Sequence, residues 1–234
     1  MTRVGGSKHR VLVVAAHPDD EVLGCGGVIA RHGRAGDRVD ILILAEGATS
    51  RDRARNPKAR GEEIERLRQA ARKAAKALGA SAPRFGGLPD NRMDSLDLID
   101  VIKLVEGVIA ASRPDTVYVH HADDLNIDHR IAHQAVLTAC RPLPGASVRS
   151  IYAFETPSST EWAGPTATFR PNRHVAIDEV WTAKATALEA YAGEMRPYPH
   201  ARSVEGIKAL AQWRGASAGV QMAEAFEVVR QVRY

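Results

Sequence analysis

Six consecutive apolar residues, Val11-Leu12-Val13-Val14-Ala15-Ala16, stop abruptly at His17-Pro18-Asp19-Asp20-Glu21. An unbroken apolar run of this length suits a strand covered on both faces, as in a parallel sheet packed between helices. The chain then alternates. Glycine-rich Gly24 to Gly27 leads into a first helix over Val28 to Gly33, and Val39 to Ala45 reads as the second strand. A long helix over Glu62 to Leu78 is ended by Gly79, and a loop around Gly86 to Asn91 follows a short strand. Further helices are expected over Leu96 to Ala111 and Ile131 to Cys140, with strands over Thr116 to His120 and Ile151 to Glu155. The fold class is therefore α/β, a mostly parallel sheet with helices on both faces. Beyond a polar loop from Thr156 to Pro165, helices are expected over Glu179 to Met195 and Ser203 to Gly215, then a last apolar stretch, Ala225 to Val229.

At 234 residues the chain reads as one domain over 1–234, whose part from about 155 onward shapes the pocket. No run approaches the roughly 18 apolar residues needed to cross a bilayer, and the N-terminus lacks a signal-peptide core, so a cytoplasmic protein is expected. Cys25 and Cys140 fall outside any paired spacing, and Cys25 reads as a small residue at a tightly packed helix start. The net charge of +4 hints at an anionic partner, but aromatic residues make up only 5% and are not interleaved with basic ones, which argues against nucleic acid. A phosphate- or nucleotide-linked small substrate accounts for the excess equally well.

One histidine and three acids within His17 to Glu21 are costly beside a buried strand unless a cation joins them. Imidazole and carboxylate both suit zinc, and a catalytic zinc keeps three protein ligands and one open position. His17 and Asp20 can supply two of the three. A second cluster, His120-His121-Ala122-Asp123-Asp124-Leu125-Asn126-Ile127-Asp128-His129, also follows a strand. Ligands of such sheets bind beyond the carboxyl ends of the strands, where both clusters fall. A receiver-type signalling module also pairs acids after its first strand, but it has no use for His17 or Asp128-His129.

Ala16-His17-Pro18-Asp19-Asp20-Glu21, followed by Gly24-Cys25-Gly26-Gly27, resembles the AHPDDE signature of the PIG-L/LmbE-like de-N-acetylases, and Asp128-His129 resembles that family's downstream DH pair. The resemblance runs from Val11 through at least Ala139. It implies a Rossmann-like sheet, zinc (or another divalent transition metal) held by His17, Asp20 and His129, and Asp19 as general base. It also implies a small N-acetylated substrate such as an amino sugar, and a homo-oligomer. Asp128 is expected to orient a ligand or the base from behind. Many members carry a histidine three residues before the ligand histidine, where Asn126 stands here. An amide donates a hydrogen bond but supplies no proton, so the acid role passes to His120, His121 or His200.

Four further segments are candidates for contacting substrate. Asp90 and Asn91 lie where the family often places a residue that binds a sugar hydroxyl. Arg51 is placed to meet a phosphate or hydroxyl, and Trp162 to stack on a pyranose. Two prolines in Arg196-Pro197-Tyr198-Pro199 fix a loop between helices that carries His200 and Arg202 toward the pocket.

Overall fold

The structure is a computed structural model that describes residues 8–166 and 168–233. Strand β1 (Arg10–Ala15) is followed by α1 (Asp20–Arg34), β2 (Arg38–Ala45), α2 (Gly61–Ala77), β3 (Arg84–Leu88), α3 (Leu98–Ser112), β4 (Thr116–His120), α4 (Ile127–Ala139) and β5 (Ser150–Phe154). Then come β6 (Arg173–Ala176), α5 (Trp181–Ala190), α6 (Val204–Ala216) and β7 (Ala223–Gln231). The seven strands form one sheet in the order β3-β2-β1-β4-β5-β7-β6. The first five run parallel, while β7 is antiparallel to both β5 and β6. This is the mostly parallel α/β architecture read from the alternation.

The strand order explains why β1 is uniformly apolar. Val11, Val13 and Ala15 face a core shared with α1, α2 and α5, whereas Leu12, Val14 and Ala16 face a second core built with α3 and α4. Both faces of the strand are thus covered, and alternation of polar with apolar residues would expose nothing useful. Chain order reverses between β1 and β4, because the connection from β1 leads to β2 on one side and β4 lies on the other. A crevice opens at such a switch point, at the carboxyl ends of the strands. Among the described residues, no helix is long and apolar enough to cross a membrane.

Several element boundaries differ from the sequence expectation. Helix α1 begins at Asp20 rather than Val28, so the acidic motif forms its first turn. The glycines are there for packing. A Cβ at Gly24 would lie 2.2 Å from the Phe154 ring, and one at Gly27 would lie 2.6 Å from Ile177. The helix does break locally, at Cys25 (φ −145°, ψ 23°), whose side chain is fully buried and contacts the Glu21 carbonyl. Glu224 on β7 repairs the break by accepting the backbone N–H groups of Gly27 and Val28, both at 2.7 Å. Lys184 completes the repair, donating to the Leu23 carbonyl at 3.0 Å and to Glu224 at 2.7 Å.

Helix α4 starts four residues earlier than expected and therefore carries Asp128 and His129 in its first turn. Helix α5 is shorter than the expected 179–195 span and gives way to turns after Ala190. Strand β6, only four residues long, has too little pattern to be read from the sequence.

Candidate metal centre

Backbone conformation places the first cluster. Asp19 is the N-cap of α1, and its carbonyl accepts the N–H groups of Val22 and Leu23. Its φ of 108° is a region that non-glycine residues enter at a cost of about 1–3 kcal/mol. An aspartate at an N-cap ordinarily spends its carboxylate on the helix N–H groups. Asp19 makes no such bond.

The second cluster approaches from α4. Asn126 caps that helix, its Oδ1 accepting the Asp128 N–H at 2.8 Å. That start directs His129 into the crevice beside His17. Three ligand-competent atoms meet there: His17 Nδ1, Asp20 Oδ2 and His129 Nε2. Each lies 3.3 Å from the other two.

These residues fit a metal ion. Zinc bonds of about 2.0–2.1 Å in tetrahedral geometry put neighbouring ligand atoms roughly 3.4 Å apart. The donor set, two imidazoles and a carboxylate, is one that zinc accepts. Asp20 is fully buried, and its Oδ1 is sealed from solvent with no hydrogen-bond partner among the described residues. Three carboxylates, Asp20, Asp90 and Asp128, contact the His17 ring within 3.4 Å. Such a concentration of negative charge calls for positive charge at its centre.

Each histidine of the triangle is backed by a carboxylate on its other ring nitrogen. His17 Nε2 lies 3.0 Å from Asp128 Oδ2, and His129 Nδ1 lies 3.0 Å from Asp124 Oδ1. Buttressing of this kind fixes ring orientation and tautomer in metal sites. Asp128 also accepts the backbone N–H groups of Asn91 (2.7 Å) and Met93 (3.0 Å), so it ties the segment after β3 to the centre. Asp124 is held by the Ser159 hydroxyl, by Thr160 Oγ1 at 2.5 Å and by the Asn126 N–H. Burial pushes its carboxyl upward, but the His129 ring and these hydroxyls outweigh burial and hold it well below the usual carboxylate range. Nothing in the sequence singles Asp124 out within its cluster, because its partners Ser159 and Thr160 lie 35 and 36 residues away.

Asp19 stands apart from the triangle. Its buried carboxylate meets Arg202, Nη1 to Oδ2 at 2.8 Å. Burial pushes its pKa well above the ordinary value, against the pull of the Arg202 charge. Arg202 is itself steadied by Ser158, Nε to Oγ at 2.6 Å. His200 joins this group: its Nδ1 accepts the Arg202 N–H at 3.0 Å, which leaves the ring proton of the neutral imidazole on Nε2. The half-exposed Trp162 packs edge-on against His200, with ring centroids 5.8 Å apart. His200, Arg202 and Trp162 thus assemble on the side of the crevice where Asp19 lies.

The remaining candidates have mixed placements. Asp90 is buried 3.4 Å from His17, with Oδ2 accepting the Ser50 N–H at 3.0 Å and Oδ1 accepting from Asn91 Nδ2 at 3.0 Å. Asn91 Oδ1 in turn accepts from Asn126 Nδ2 at 2.7 Å. Asn126 is therefore engaged at both ends of its amide, as a helix cap and as a partner of Asn91. Arg51 is paired with Glu63 and, at 3.0 Å, with Glu194, so its charge is already balanced. His120 and His121 are engaged elsewhere. His120 is fully buried, and its Nε2 accepts the Ala16 N–H at 2.9 Å. Burial and the neighbouring His129 lower its pKa well below the ordinary histidine value. His121 turns its Nδ1 to Glu227 at 2.7 Å, and its Nε2 is sealed from solvent. Cys25 contributes nothing to the triangle.

Residues 12–140 match the protein family described as PIG-L, GlcNAc-PI de-N-acetylase. The chain is 30% identical over 187 residues to the uncharacterized deacetylase YaiS of Escherichia coli, which covers 77% of this chain and 89% of that protein. It is 29% identical over 188 residues to a probable N-acetyl-alpha-D-glucosaminyl L-malate deacetylase of Bacillus cereus, covering 79% of this chain and 83% of that one. Among solved structures it resembles GalB, the 4-carboxy-2-hydroxymuconate hydratase of Pseudomonas putida. That match has a TM-score of 0.77 and 26% identity, over 96% of this chain and 97% of the other.

Proposed function

This chain belongs to the PIG-L family of GlcNAc-PI de-N-acetylases, and on that premise we propose that it is a zinc-dependent hydrolase removing an N-acetyl group from an amino sugar or its conjugate. The reading rests on the triangle of His17 Nδ1, Asp20 Oδ2 and His129 Nε2, with sides of 3.3 Å, beside the separate carboxylate of Asp19. The N-acetylglucosaminyl substrate in the name of the Bacillus relative supports the sugar class.

His17, Asp20 and His129 would hold the ion, buttressed by Asp128 and Asp124. When bound, zinc supplies an acidified water and a Lewis acid for the acetyl carbonyl. The residues around it do the rest. Asp19 takes the proton from the attacking water and passes it to the departing amine. Arg202 fixes the Asp19 carboxylate so that one oxygen stays directed at the reacting centre. His200, with its proton on Nε2, offers a second donor for the amine. Asp90 and Asn91 meet substrate hydroxyls, and Trp162 with the segment beyond residue 155 forms the outer wall of the same domain.

A second reading keeps the centre but changes the substrate to a non-sugar molecule bearing a carboxylate. The likeness to a hydratase whose named substrate is an unsaturated polycarboxylic acid favours it.

The test is to measure bound metal by elemental analysis and to assay amine release from a panel of N-acetylated sugars, plain, phosphate-linked and nucleotide-linked, with and without chelator. Hydration of unsaturated polycarboxylic acids is followed in parallel by loss of ultraviolet absorbance. About one zinc per chain with chelator-sensitive amine release is the expected result. Hydration without amine release would favour the second reading, and failure to bind metal under any loading condition would overturn both.

A further inference from the structure

Asp19 occupies an N-cap position without acting as a side-chain cap. Its backbone is left-handed, φ 108° and ψ −29°, and its carboxylate makes no bond to the N–H groups of α1. The Asp19 N–H donates to Glu21 Oε2 at 3.1 Å. The reach-back of a carboxylate from the first helical turn to the N-cap N–H is the logic of a capping box, here made from the second helical residue instead of the third. Glu21 in turn is gripped from the far side of the core. The Tyr191 hydroxyl, just beyond α5 and 170 residues away, donates to Glu21 Oε1 at 2.6 Å. Glu21 is 1% exposed and Tyr191 2% exposed. No lysine, arginine or histidine makes an ion pair with Glu21 among the described residues.

A buried carboxylate without a cation is an expensive feature to keep for packing alone. Resting on the assignment of Asp19 as general base, we infer that Glu21 and Tyr191 are positioning residues that hold the Asp19 backbone in its turned conformation and so free its carboxylate for the reaction. Without them, Asp19 has a better-populated alternative. It relaxes to the extended conformation of an ordinary N-cap and spends its carboxylate on the N–H groups of α1. Arg202 restrains the carboxylate from outside, and the Glu21–Tyr191 pair restrains the backbone from inside.

The experiment compares Glu21→Ala, Glu21→Gln and Tyr191→Phe with the parent enzyme, all zinc-loaded, by crystal structure, zinc content, kcat and KM. Glutamine can still accept the Asp19 N–H through its carbonyl while donating to Tyr191, so it is the rescue variant. Glu21→Ala is expected to shift Asp19 to negative φ and lower kcat about 100-fold, with zinc content and KM unchanged. Glu21→Gln is expected to restore positive φ and most of kcat. Tyr191→Phe, the mildest change, is expected to lower kcat roughly 10-fold and keeps the test alive should Glu21→Ala fail to fold. Positive φ and parental kcat in the Ala or Phe variants, or a loss of kcat that tracks zinc loss, would overturn the inference. If the parent enzyme releases no amine from any substrate, the deacetylase reading fails on its own, and the φ of Asp19 in the variants still decides whether the brace exists.

Discussion

Arg202 holds Asp19 across 183 residues of sequence, guanidinium Nη1 to carboxylate Oδ2 at 2.8 Å, and a second guanidinium contact, to Ser158, anchors it to the loop after β5. The position of the Asp19 carboxylate therefore depends on the loop ahead of α6 as much as on the motif that contains it. Replacing Arg202 by Met keeps most of the volume and removes the charge. We expect kcat/KM to fall by about 10–100-fold with zinc content unchanged, the range seen when groups that orient a reacting residue are lost. Steady-state kinetics with metal analysis on the same sample checks this, and an unaltered kcat/KM would mean that the guanidinium is idle.

Asp19→Asn preserves the shape of the side chain and tolerates positive φ, so the fold and the metal triangle should survive it. Turnover should drop by about 10²–10⁴-fold, the usual contribution of a positioned base. Zinc stoichiometry equal to the parent's, measured on the inactive protein, separates this outcome from loss of the site. Retained turnover would remove Asp19 from the mechanism.

Metal removal should be visible without any substrate. An ion that binds only the folded chain stabilises it, by about 2.7 kcal/mol at a free concentration one hundred times its Kd. Thermal unfolding with chelator, then with zinc restored, should show Tm fall and recover. His129→Ala should abolish the response to zinc, and a full response in that variant would break the proposed ligand set.

Asp124→Asn removes the charge behind His129 and should weaken zinc binding about 10–100-fold in a competition titration. The same variant carries a pH signature in the metal-free protein. The Asp124 carboxyl is held below its ordinary value, so its stabilising contribution is complete above the ordinary carboxylate range near about 4 and is lost as pH falls through the depressed folded value. Urea midpoints of the parent should therefore decline more steeply on acidification than those of the variant. Parallel declines would show that Asp124 contributes nothing there.

Asn126→Ala should cost about 1 kcal/mol of stability through loss of the α4 cap, read from chemical denaturation. Asn126→Asp retains the cap and should recover that loss, which distinguishes the capping role from a direct part in the chemistry.

How much could be read in advance follows from how far apart the interacting residues lie. Val11 to Ala16 announced a doubly covered strand, because burial on both faces leaves a continuous apolar run. His17 and Asp20 stood out because a strand end rich in imidazole and carboxylate has few purposes, whereas His129 entered only through the resemblance of Asp128-His129 to a family motif. The glycines at 24 and 27 misled, since a glycine needed for close packing against Phe154 or Ile177 looks the same in sequence as one that breaks a helix. Glu21, Asp124 and Tyr191 went unread for another reason. Each acts with partners that the fold brings near, and nothing local marks a buried glutamate, aspartate or tyrosine as having them.

The switch between β1 and β4 has a consequence for how this protein comes into being. His17 and Asp20 leave the ribosome more than a hundred residues ahead of His129, and β1 and β4 are hydrogen-bonded neighbours only in the finished sheet. Until that pairing forms, two of the three candidate ligands stand apart from the third. An ion held by all three side chains would therefore be taken up only by a chain that has already paired β1 with β4.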